Sequence, residues 1–185
     1  MHTVNEKSLP RRVFNRVLHV LARNCPGAMT VRPFLHRLRG VKIGRRVWIG
    51  DDVYLENEHP EKVELQEGAV LSIRAVVIAH TRGQGNVIIE SGAYVGPCAV
   101  VICAAGRTLR IGKGAVISTG SSVTSNVLPQ MVIAPPRSIP VARASIPFGL
   151  AASMEEFMGG LEPLLRHKPS DPSPSGSSGS SSRMT

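Results

Sequence analysis

A six-residue periodicity between residues 41 and 128 is the feature that most constrains how this chain can fold. The phrase VKIG at residue 41 recurs as VELQ at 63, VIIE at 87 and LRIG at 109. Successive starts are 22, 24 and 22 residues apart, which is 18 residues (three hexapeptides) plus an extra 4, 6 and 4. Repeats of this kind predict a solenoid in which each unit stacks on the one before.

An aliphatic residue occupies every sixth position of each unit. These anchors are Ile43, Ile49, Leu55, Leu65, Leu71, Val77, Ile89, Val95, Val101, Ile111, Ile117 and Val123. Four residues after the first two anchors of each unit comes a small or β-branched residue: Val47, Val53, Ala69, Ala75, Ala93, Ala99, Ala115 and Ser121. Four glycines directly follow anchors, where we expect a tight bend to need a permissive backbone. They are Gly44, Gly50, Gly96 and Gly112.

Six residues are enough for a short strand and a bend, so three hexapeptides turn the chain through a triangle. Successive circuits then stack at the spacing of β-strands, roughly 4.8 Å. No circuit can bury its own apolar face, so stacking is obligatory. The spacing predicts an all-β core, a parallel β-helix of four to five triangular coils over residues 41–145.

Composition agrees with this fold and narrows the setting. Hydrophobic residues make up 42% of the chain and aromatic residues only 4%, so the core is built from aliphatic side chains. Three scattered cysteines, Cys25, Cys98 and Cys103, favour a reducing, cytoplasmic compartment over a disulfide framework. Because no stretch approaches 18 consecutive apolar residues, we predict neither a signal peptide nor a transmembrane helix.

The positive charge is concentrated at the N-terminus. Residues 1–46 hold 11 of the 22 Lys and Arg and one acidic residue, a net +10, whereas the remainder has 11 basic and 12 acidic residues, a net −1. Residues 1–40 have helical periodicity, with a stop at Cys25-Pro26-Gly27 and a second short helix predicted over 33–39. The predicted apolar face contains Leu9, Val13, Phe14, Val17, Leu18 and Leu21, and the opposite face contains Arg12, Arg16, His19 and Arg23.

This basic amphipathic cap has two interpretations. The first is that its apolar face packs on the main domain and its basic face is solvated. The second is peripheral contact with anionic membrane lipid, or with a phosphate-bearing lipid-linked substrate. Nucleic acid is disfavoured, because no aromatic residues interleave with the basic ones and no recognised binding motif is present.

The residues added to each 18-residue unit all follow a third anchor, so we expect them at one corner of the prism. They lie within the stretches NEHPEK, HTRGQGN and AAGRT. Aligning the third hexapeptides places His80 on Glu58, with Glu56 and Glu61 near it in sequence. A carboxylate neighbour can fix the imidazole tautomer and raise its basicity, which suits a general base. The turn amides around Gly83 and Gly85 are candidate donors for an oxyanion.

The repeats and the closing stretch IGKGAVISTGSSVTSNVLPQMVIAPPRSIPVAR resemble the hexapeptide-repeat acyltransferases of the left-handed parallel β-helix superfamily. The basic helix leading into GVKIG is most similar to their polysaccharide and lipopolysaccharide O-acetyltransferases. The resemblance implies a homotrimer with active sites at subunit interfaces, an acyl-CoA donor (most often acetyl-CoA) and His80 as catalytic base, with Glu58 beside it. Side chains near that base, His59, Arg82 and Gln84, are expected to meet the acceptor.

The same resemblance implies a donor site on the last circuits. Its candidate residues are Gly120, Ser121, Ser122, Lys113 and Arg137. The exit motif departs from the usual pattern, with Ala134 in place of a glycine and Arg137 in place of a small residue. A zinc site of the γ-carbonic-anhydrase type is disfavoured, because the coil region has only two histidines, His59 and His80, where three protein ligands are needed.

The predicted function is therefore acyl transfer from acyl-CoA to a sugar hydroxyl of a polysaccharide, lipooligosaccharide or glycoconjugate precursor. The alternatives are transfer to an amino sugar, amino acid or antibiotic, and a non-catalytic β-helix scaffold. Residues 146–168 are predicted to form a C-terminal helix, in which Ser153 and Glu156 have capping-box spacing. Residues 169–185 are predicted to be a disordered low-complexity tail.

Overall fold

The computed structural model describes residues 9–81 and 83–164. The chain divides into two compact units, Met1–Pro136 and Arg137–Thr185. The helices are α1 (Leu9–Asn24), α2 (Val31–Arg39) and α3 (Met154–Gly159), with short 3-10 turns at Pro60–Lys62 and Phe148–Leu150. The strands are β1 (Lys42–Ile43), β2 (Trp48–Ile49), β3 (Tyr54–Leu55), β4 (Val63–Leu65), β5 (Val70–Leu71), β6 (Val76–Thr81), β7 (Asn86–Ile89), β8 (Tyr94–Val95), β9 (Val100–Ala104), β10 (Thr108–Ile111), β11 (Val116–Ile117), β12 (Ser122–Val123), β13 (Val132–Ile133), β14 (Ala142–Ala144) and β15 (Leu161–Pro163).

Strands β1 to β13 form a parallel β-solenoid of about four turns, consistent with the predicted left-handed β-helix. Each turn contributes one strand to each of three parallel sheets. The sheet orders are β1-β4-β7-β10, β2-β5-β8-β11-β13 and β3-β6-β9-β12. The pairing of β13 with β11 and the bridge between Ile111 and Val127 begin a fifth turn. The predicted all-β core of stacked circuits is confirmed.

The anchors stack in three columns down the inside of the solenoid. The columns are Ile43-Leu65-Ile89-Ile111, Ile49-Leu71-Val95-Ile117-Ile133 and Leu55-Val77-Val101-Val123. Every predicted anchor is buried except Ile43, which is partly buried against the same core. The eight small positions are also buried, so the corner residues leave room for the anchors.

The glycines that follow anchors are required for a different reason from the predicted one, which was a tight bend. Gly44, Gly50, Gly96 and Gly112 are absent from the positive-φ residues, which instead lie two positions later, as at Arg46. A Cβ on Gly112 would come within 2.4 Å of the Pro129 nitrogen. These glycines are needed because the backbone of the next turn passes directly over them.

The two N-terminal helices are present where they were predicted, but α1 leaves most of its predicted apolar face exposed, and α2 turns polar side chains inward. In α1 the buried residues are Asn15, Leu18, His19 and Ala22. In α2 they are Arg32, Pro33, His36 and Arg39. Most of the predicted apolar face is exposed, with Val13 at 56% and Val17 at 52%. The expectation that the apolar face packs on the main domain is therefore wrong.

The first turn of the solenoid explains this inversion. Its strands have no preceding circuit, so their backbone groups need other partners, as at any sheet edge. Arg39 donates to the carbonyls of Leu55 and Glu56, and Arg32 donates to that of Ile49. The Ile49 amide in turn donates to the Ala28 carbonyl. Helix α2 turns Arg32 and Arg39 inward because their guanidinium groups cap these backbone carbonyls, whereas both ring nitrogens of the inward-facing His19 of α1 have no hydrogen-bond partner within the described residues.

The second unit contains a smaller structure than the predicted helix over 146–168. Helix α3 has six residues, and the Ser153 hydroxyl accepts from the Glu156 amide at 3.1 Å, which confirms the predicted cap. Strands β14 and β15 pair in antiparallel fashion, an arrangement that the helical periodicity did not suggest. The predicted tail, residues 169–185, lies outside the described residues.

Candidate active site

The three insertions lie at one corner of the solenoid, as predicted. Each connects a strand of the β3-β6-β9-β12 sheet to the next strand of the β1-β4-β7-β10 sheet. The connections run over 56–62, 82–85 and 105–107. Elsewhere in the repeat the turns are tight, so this corner gathers the irregular segments on which binding residues tend to lie.

His80 stands at this corner, near the end of β6, in contact with a buried carboxylate. Its Nδ1 is 2.6 Å from Oε2 of Glu56, whose side chain is fully buried. About a third of the His80 side chain is exposed. The ring therefore has one nitrogen held from inside the protein and an edge open to solvent.

Glu56 receives four hydrogen bonds. Its Oε1 accepts from the amides of Glu58 and His59, and its Oε2 accepts from the Ala79 amide and from His80. Burial alone would raise the pKa of Glu56, but the hydrogen bonds from His80, Ala79 and His59 outweigh it and hold that pKa below its ordinary value. The ionised carboxylate can only accept, so Nδ1 of His80 is the donor, and in the neutral form of the ring the lone pair is on Nε2.

Glu58, the carboxylate expected to hold His80, occupies a different position. Its Oε2 lies 3.9 Å from Nε2 of His80, and 60% of its side chain is exposed. His80 donates its orienting hydrogen bond to Glu56, a partner that stacking the aligned repeats could not identify. One feature of the sequence could have indicated Glu56: it directly follows the anchor Leu55 at the insertion corner, where a side chain can fold inward.

His59 and Gln84 lie beside His80, as expected of acceptor-binding candidates. The His59 and His80 ring centroids are 6.3 Å apart, and Nε2 of Gln84 is 3.5 Å from Nε2 of His59. His59 also lies 3.6 Å from the Glu61 carboxylate. Arg82, the third candidate, lies outside the described residues.

The loop after His80 is attached to the loop of the next turn. The Gly106 amide donates to the Gln84 carbonyl, and a Cβ on Gly85 would meet the Ala104 oxygen at 2.7 Å. The Gly85 amide, a predicted oxyanion donor, donates to the Ala79 carbonyl at 2.7 Å. That amide already has an acceptor within the chain, so the structure does not assign it to an oxyanion.

Behind Glu56, a buried polar cluster extends into the helical cap. Arg39 donates to the Glu56 carbonyl at 2.7 Å and contacts Nδ1 of His36 at 2.8 Å. The His19 ring packs edge-on against Tyr54 at 4.8 Å between centroids. Burial and the charge of Arg39 lower the pKa of both His19 and His36 to about 3, and burial lowers that of Arg39 to about 10. The cap thus places a cation behind the carboxylate that holds His80.

A groove on the outer face of the same sheet leads away from His80. Along β6, Val76, Ile78 and His80 are partly exposed and alternate with buried residues. The groove is lined by Arg23, Asp52, Tyr54, Arg74, Val76 and Ile78. Asp52 pairs with Arg23 and lies 3.7 Å from Arg74, so the end of the groove carries two guanidinium groups and one carboxylate.

The predicted donor residues lie at other corners. Lys113 follows β10, and Gly120, with φ +68°, follows β11. Ser122 is exposed, whereas Ser121 is buried and its hydroxyl lies 3.4 Å from the Ile133 carbonyl. Within one chain these residues are therefore not brought to the corner that carries His80. Arg137 is exposed and begins the second unit.

Within residues 9–81 and 83–164, no three His, Cys, Asp or Glu side chains are grouped so as to hold a metal ion. No helix in this part of the chain has the length and apolar character needed to cross a membrane.

The solved structures that the chain resembles are hexapeptide-repeat acetyltransferases. A hexapeptide-repeat acetyltransferase from Vibrio cholerae aligns with a TM-score of 0.48 and 14% identity over 66% of this chain and 84% of that one. A maltose O-acetyltransferase from Clostridium difficile 630 aligns with a TM-score of 0.41 and 16% identity, over 67% of this chain and 81% of that one. A serine acetyltransferase from Neisseria gonorrhoeae aligns with a TM-score of 0.29 and 26% identity, over 70% of this chain and 55% of that one.

No family model and no curated protein sequence matches the chain significantly. Structural likeness at these TM-scores carries no argument about activity, so any functional conclusion depends on the side chains of this chain.

Proposed function

We propose that the protein is an acyltransferase that moves an acyl group, most simply acetyl, from a CoA thioester to a sugar hydroxyl. His80 is the general base. The observation that carries the proposal is the pair of His80 and the buried, ionised Glu56 at the one corner where the solenoid gathers its loops. Because Nδ1 donates to Glu56, the lone pair of the neutral imidazole lies on Nε2, which is the arrangement that proton abstraction from a hydroxyl requires.

In the proposed reaction, Nε2 of His80 removes the acceptor proton while the acceptor oxygen attacks the thioester carbonyl. The imidazolium that forms is stabilised by Glu56, which keeps its own negative charge. When the tetrahedral intermediate collapses, the carbon–sulfur bond breaks and His80 returns the proton to the departing thiolate. His80 and Glu56 therefore end the cycle in their starting protonation states.

The donor site belongs to the same proposal. The thioester supplies the activated acyl group, and the exposed Lys113 ammonium and Ser122 hydroxyl are suited to its phosphates. These residues lie at corners other than that of His80. Assembly of three chains would bring a different corner of one chain against the His80 corner of its neighbour, so we propose a homotrimer with shared active sites.

The acceptor proposed is a precursor of a polysaccharide, lipooligosaccharide or other glycoconjugate. The groove along β6, the strand that carries His80, supports this choice, because Arg23 and Arg74 line it with guanidinium groups. Guanidinium groups bind phosphate well, and precursors activated for glycosyl transfer carry phosphate.

The test measures CoA thiol release from acetyl-CoA in the presence of a panel of sugars and sugar phosphates. His80→Asn is expected to lower kcat by about 10²–10⁴, the usual contribution of a general base. Glu56→Gln is expected to lower it by at least about tenfold, because the amide can present its NH₂ group to Nδ1 and favour the wrong tautomer. His59→Gln, a matched neighbour outside the pair, is expected to change KM more than kcat.

Undiminished thiol release by a folded His80→Asn trimer would refute the assignment of the base. Release that depends on amines rather than hydroxyls would instead identify an N-acetyltransferase. Absence of acetyl-CoA binding by calorimetric titration of the wild-type protein would favour the scaffold interpretation.

A further inference from the structure

The helical cap turns an apolar surface toward solvent. Helix α2 presents Val31, Phe34 and Leu38 at helical spacing, and Phe34 is 55% exposed. Helix α1 presents a wider set. The exposed residues of what we call the outer face of the cap are Leu9, Val13, Phe14, Val17, Val20, Leu21, Met29, Val31, Phe34 and Leu38. Contiguous apolar surface of this kind marks an interaction site.

The two helices contribute to one continuous face. Arg11 of α1 donates to the Leu38 carbonyl at the end of α2. The same guanidinium lies over the Phe14 ring at 5.5 Å. Phe14 and Leu38 therefore flank a single side chain, and the apolar residues of the two helices meet around it.

The rim of this face is strongly cationic. From Leu9 to Arg39 the chain has no acidic residue and seven arginines, of which Arg11, Arg12, Arg16 and Arg37 are exposed. Arg16 and Arg12 are exposed and lie one and two helical turns before His19 and Val20, on the side of α1 that borders the outer face. An apolar surface about 24 Å long, the length of a 16-residue helix, thus carries positive charge along its border.

The charge decides between the two obvious occupants. A second copy bound through the same face would bring two cationic surfaces together with no carboxylate from either helix to neutralise them. An anionic lipid surface offers phosphate groups to the arginines and acyl chains to the valine, leucine and phenylalanine side chains. Helices that lie in the plane of a membrane combine a buried apolar face with such a basic border.

We propose that the outer face of the cap is a docking surface for anionic membrane lipid, on which α1 and α2 lie parallel to the bilayer plane. The polar inner faces of both helices stay on the solenoid, so docking requires no unfolding of the cap. This inference goes beyond acyl transfer and does not depend on it.

The experiment is sedimentation of the full chain with vesicles of equal parts phosphatidylcholine and phosphatidylglycerol, compared with vesicles of phosphatidylcholine alone. Wild-type protein is expected to bind the anionic vesicles and to bind the neutral ones weakly. The triple variant Val13→Gln, Val17→Gln and Phe34→Gln is expected to lose binding while keeping its circular dichroism spectrum, because all three positions are exposed.

Two further variants separate charge from apolar contact. Arg12→Gln with Arg16→Gln is expected to weaken binding to anionic vesicles about fivefold for each arginine. The matched control replaces three exposed apolar residues of the solenoid, Ile73, Leu128 and Met131, with glutamine and is expected to bind as wild type does.

Three outcomes would overturn the proposal. One is the absence of wild-type binding to anionic vesicles. Another is equal binding to both vesicle types. The third is that light scattering shows the outer-face triple variant to have a smaller assembly than wild type while its vesicle binding is unchanged, which would make a second copy the occupant.

Discussion

The solenoid and its helical cap arrange polarity in opposite ways. In the solenoid, Ile, Leu and Val anchors point inward and are almost completely buried. In the cap, arginine, histidine and asparagine point inward while valine, leucine and phenylalanine are exposed. What a helix buries therefore depends on the surface that it covers. A stacked circuit offers apolar side chains, whereas the open end of a solenoid offers backbone N–H and C=O groups.

His80 lies where these two arrangements meet. Its strand belongs to the second turn of the solenoid, and Glu56, which holds it, leaves the first turn directly beneath. The carbonyl of Glu56 accepts from Arg39 of the cap. Variants on the two sides of this boundary can therefore test whether the solenoid is stabilised by apolar burial and the cap by polar contacts.

The largest difference is expected between an anchor of the solenoid and an outward residue of the cap. Leu71→Ala removes a fully buried side chain from the middle of a column and is expected to lower the free energy of unfolding by about 2–5 kcal/mol. Val17→Ala removes an exposed one and is expected to change it by less than about 0.5 kcal/mol. Chemical denaturation measures both values. A cost for Val17→Ala comparable to that of Leu71→Ala would show that the outer face is buried in the assembled protein.

A smaller effect is expected when the polar side of the cap is altered. Arg39→Met deletes the donors to the Leu55 and Glu56 carbonyls and is expected to cost about 1–3 kcal/mol. Arg37→Met, the comparison on the same helix, removes donors to the Ile43 and Gly44 carbonyls and is expected to cost less, because those hydrogen bonds are exposed and water can replace them. If Arg39 also positions Glu56, the variant will shift the pH profile of thiol release, which a purely structural role leaves in place. Equal stability of both variants would contradict the capping role of Arg39.

The last effect is a gradual one with pH, and it is the smallest when counted for one histidine and one pH unit. Because the pKa values of His19 and His36 are lowered from 6.5 to about 3, the unfolded chain binds more protons between those limits than the folded one. Stability is complete above pH 6.5 and falls as the pH decreases toward 3, by about 1 kcal/mol per pH unit for each histidine. The lowered pKa of Glu56 adds a loss only below its ordinary value of 4.5, so the range from 4.5 to 6.5 reports on the histidines.

Chemical denaturation at several pH values across that range gives the free energy of unfolding as a function of pH. That dependence should be less steep for His36→Gln than for wild type. His59→Gln, which alters an imidazole of the loop corner, is the control and should keep the wild-type slope. An unchanged slope in His36→Gln would mean that His36 is not buried in its neutral form.

The solenoid was predictable because its physics repeats. Every anchor column contains at least four residues of the chain, so an atypical residue at one position does not hide the pattern. The shared corner of the insertions followed from the same arithmetic, and with it the position of His80. Even here one reason was wrong: Gly112 is required by the close approach of Pro129 rather than by its own dihedral angles.

The partner of His80 and the orientation of the cap were not predictable, because each occurs once. Stacking by register points to Glu58, yet the chain turns after Leu55 so that Glu56 folds inward and accepts the Glu58 amide. Helical periodicity in α1 identifies an apolar face correctly but does not show which way it points. For α2 the corresponding direction is decided by the first-turn carbonyls that accept from Arg32 and Arg39, which are a property of the assembled solenoid and not of the helix.

The inward-facing arginines of the cap also limit how far the solenoid can grow. A stack of parallel circuits has no intrinsic length, since each turn is a template on which another chain can add a strand. By occupying the first ring of backbone groups with Arg32 and Arg39, the chain ends that template before a second molecule can continue it. The two helices thus close one end of a geometry that could otherwise polymerise in both directions.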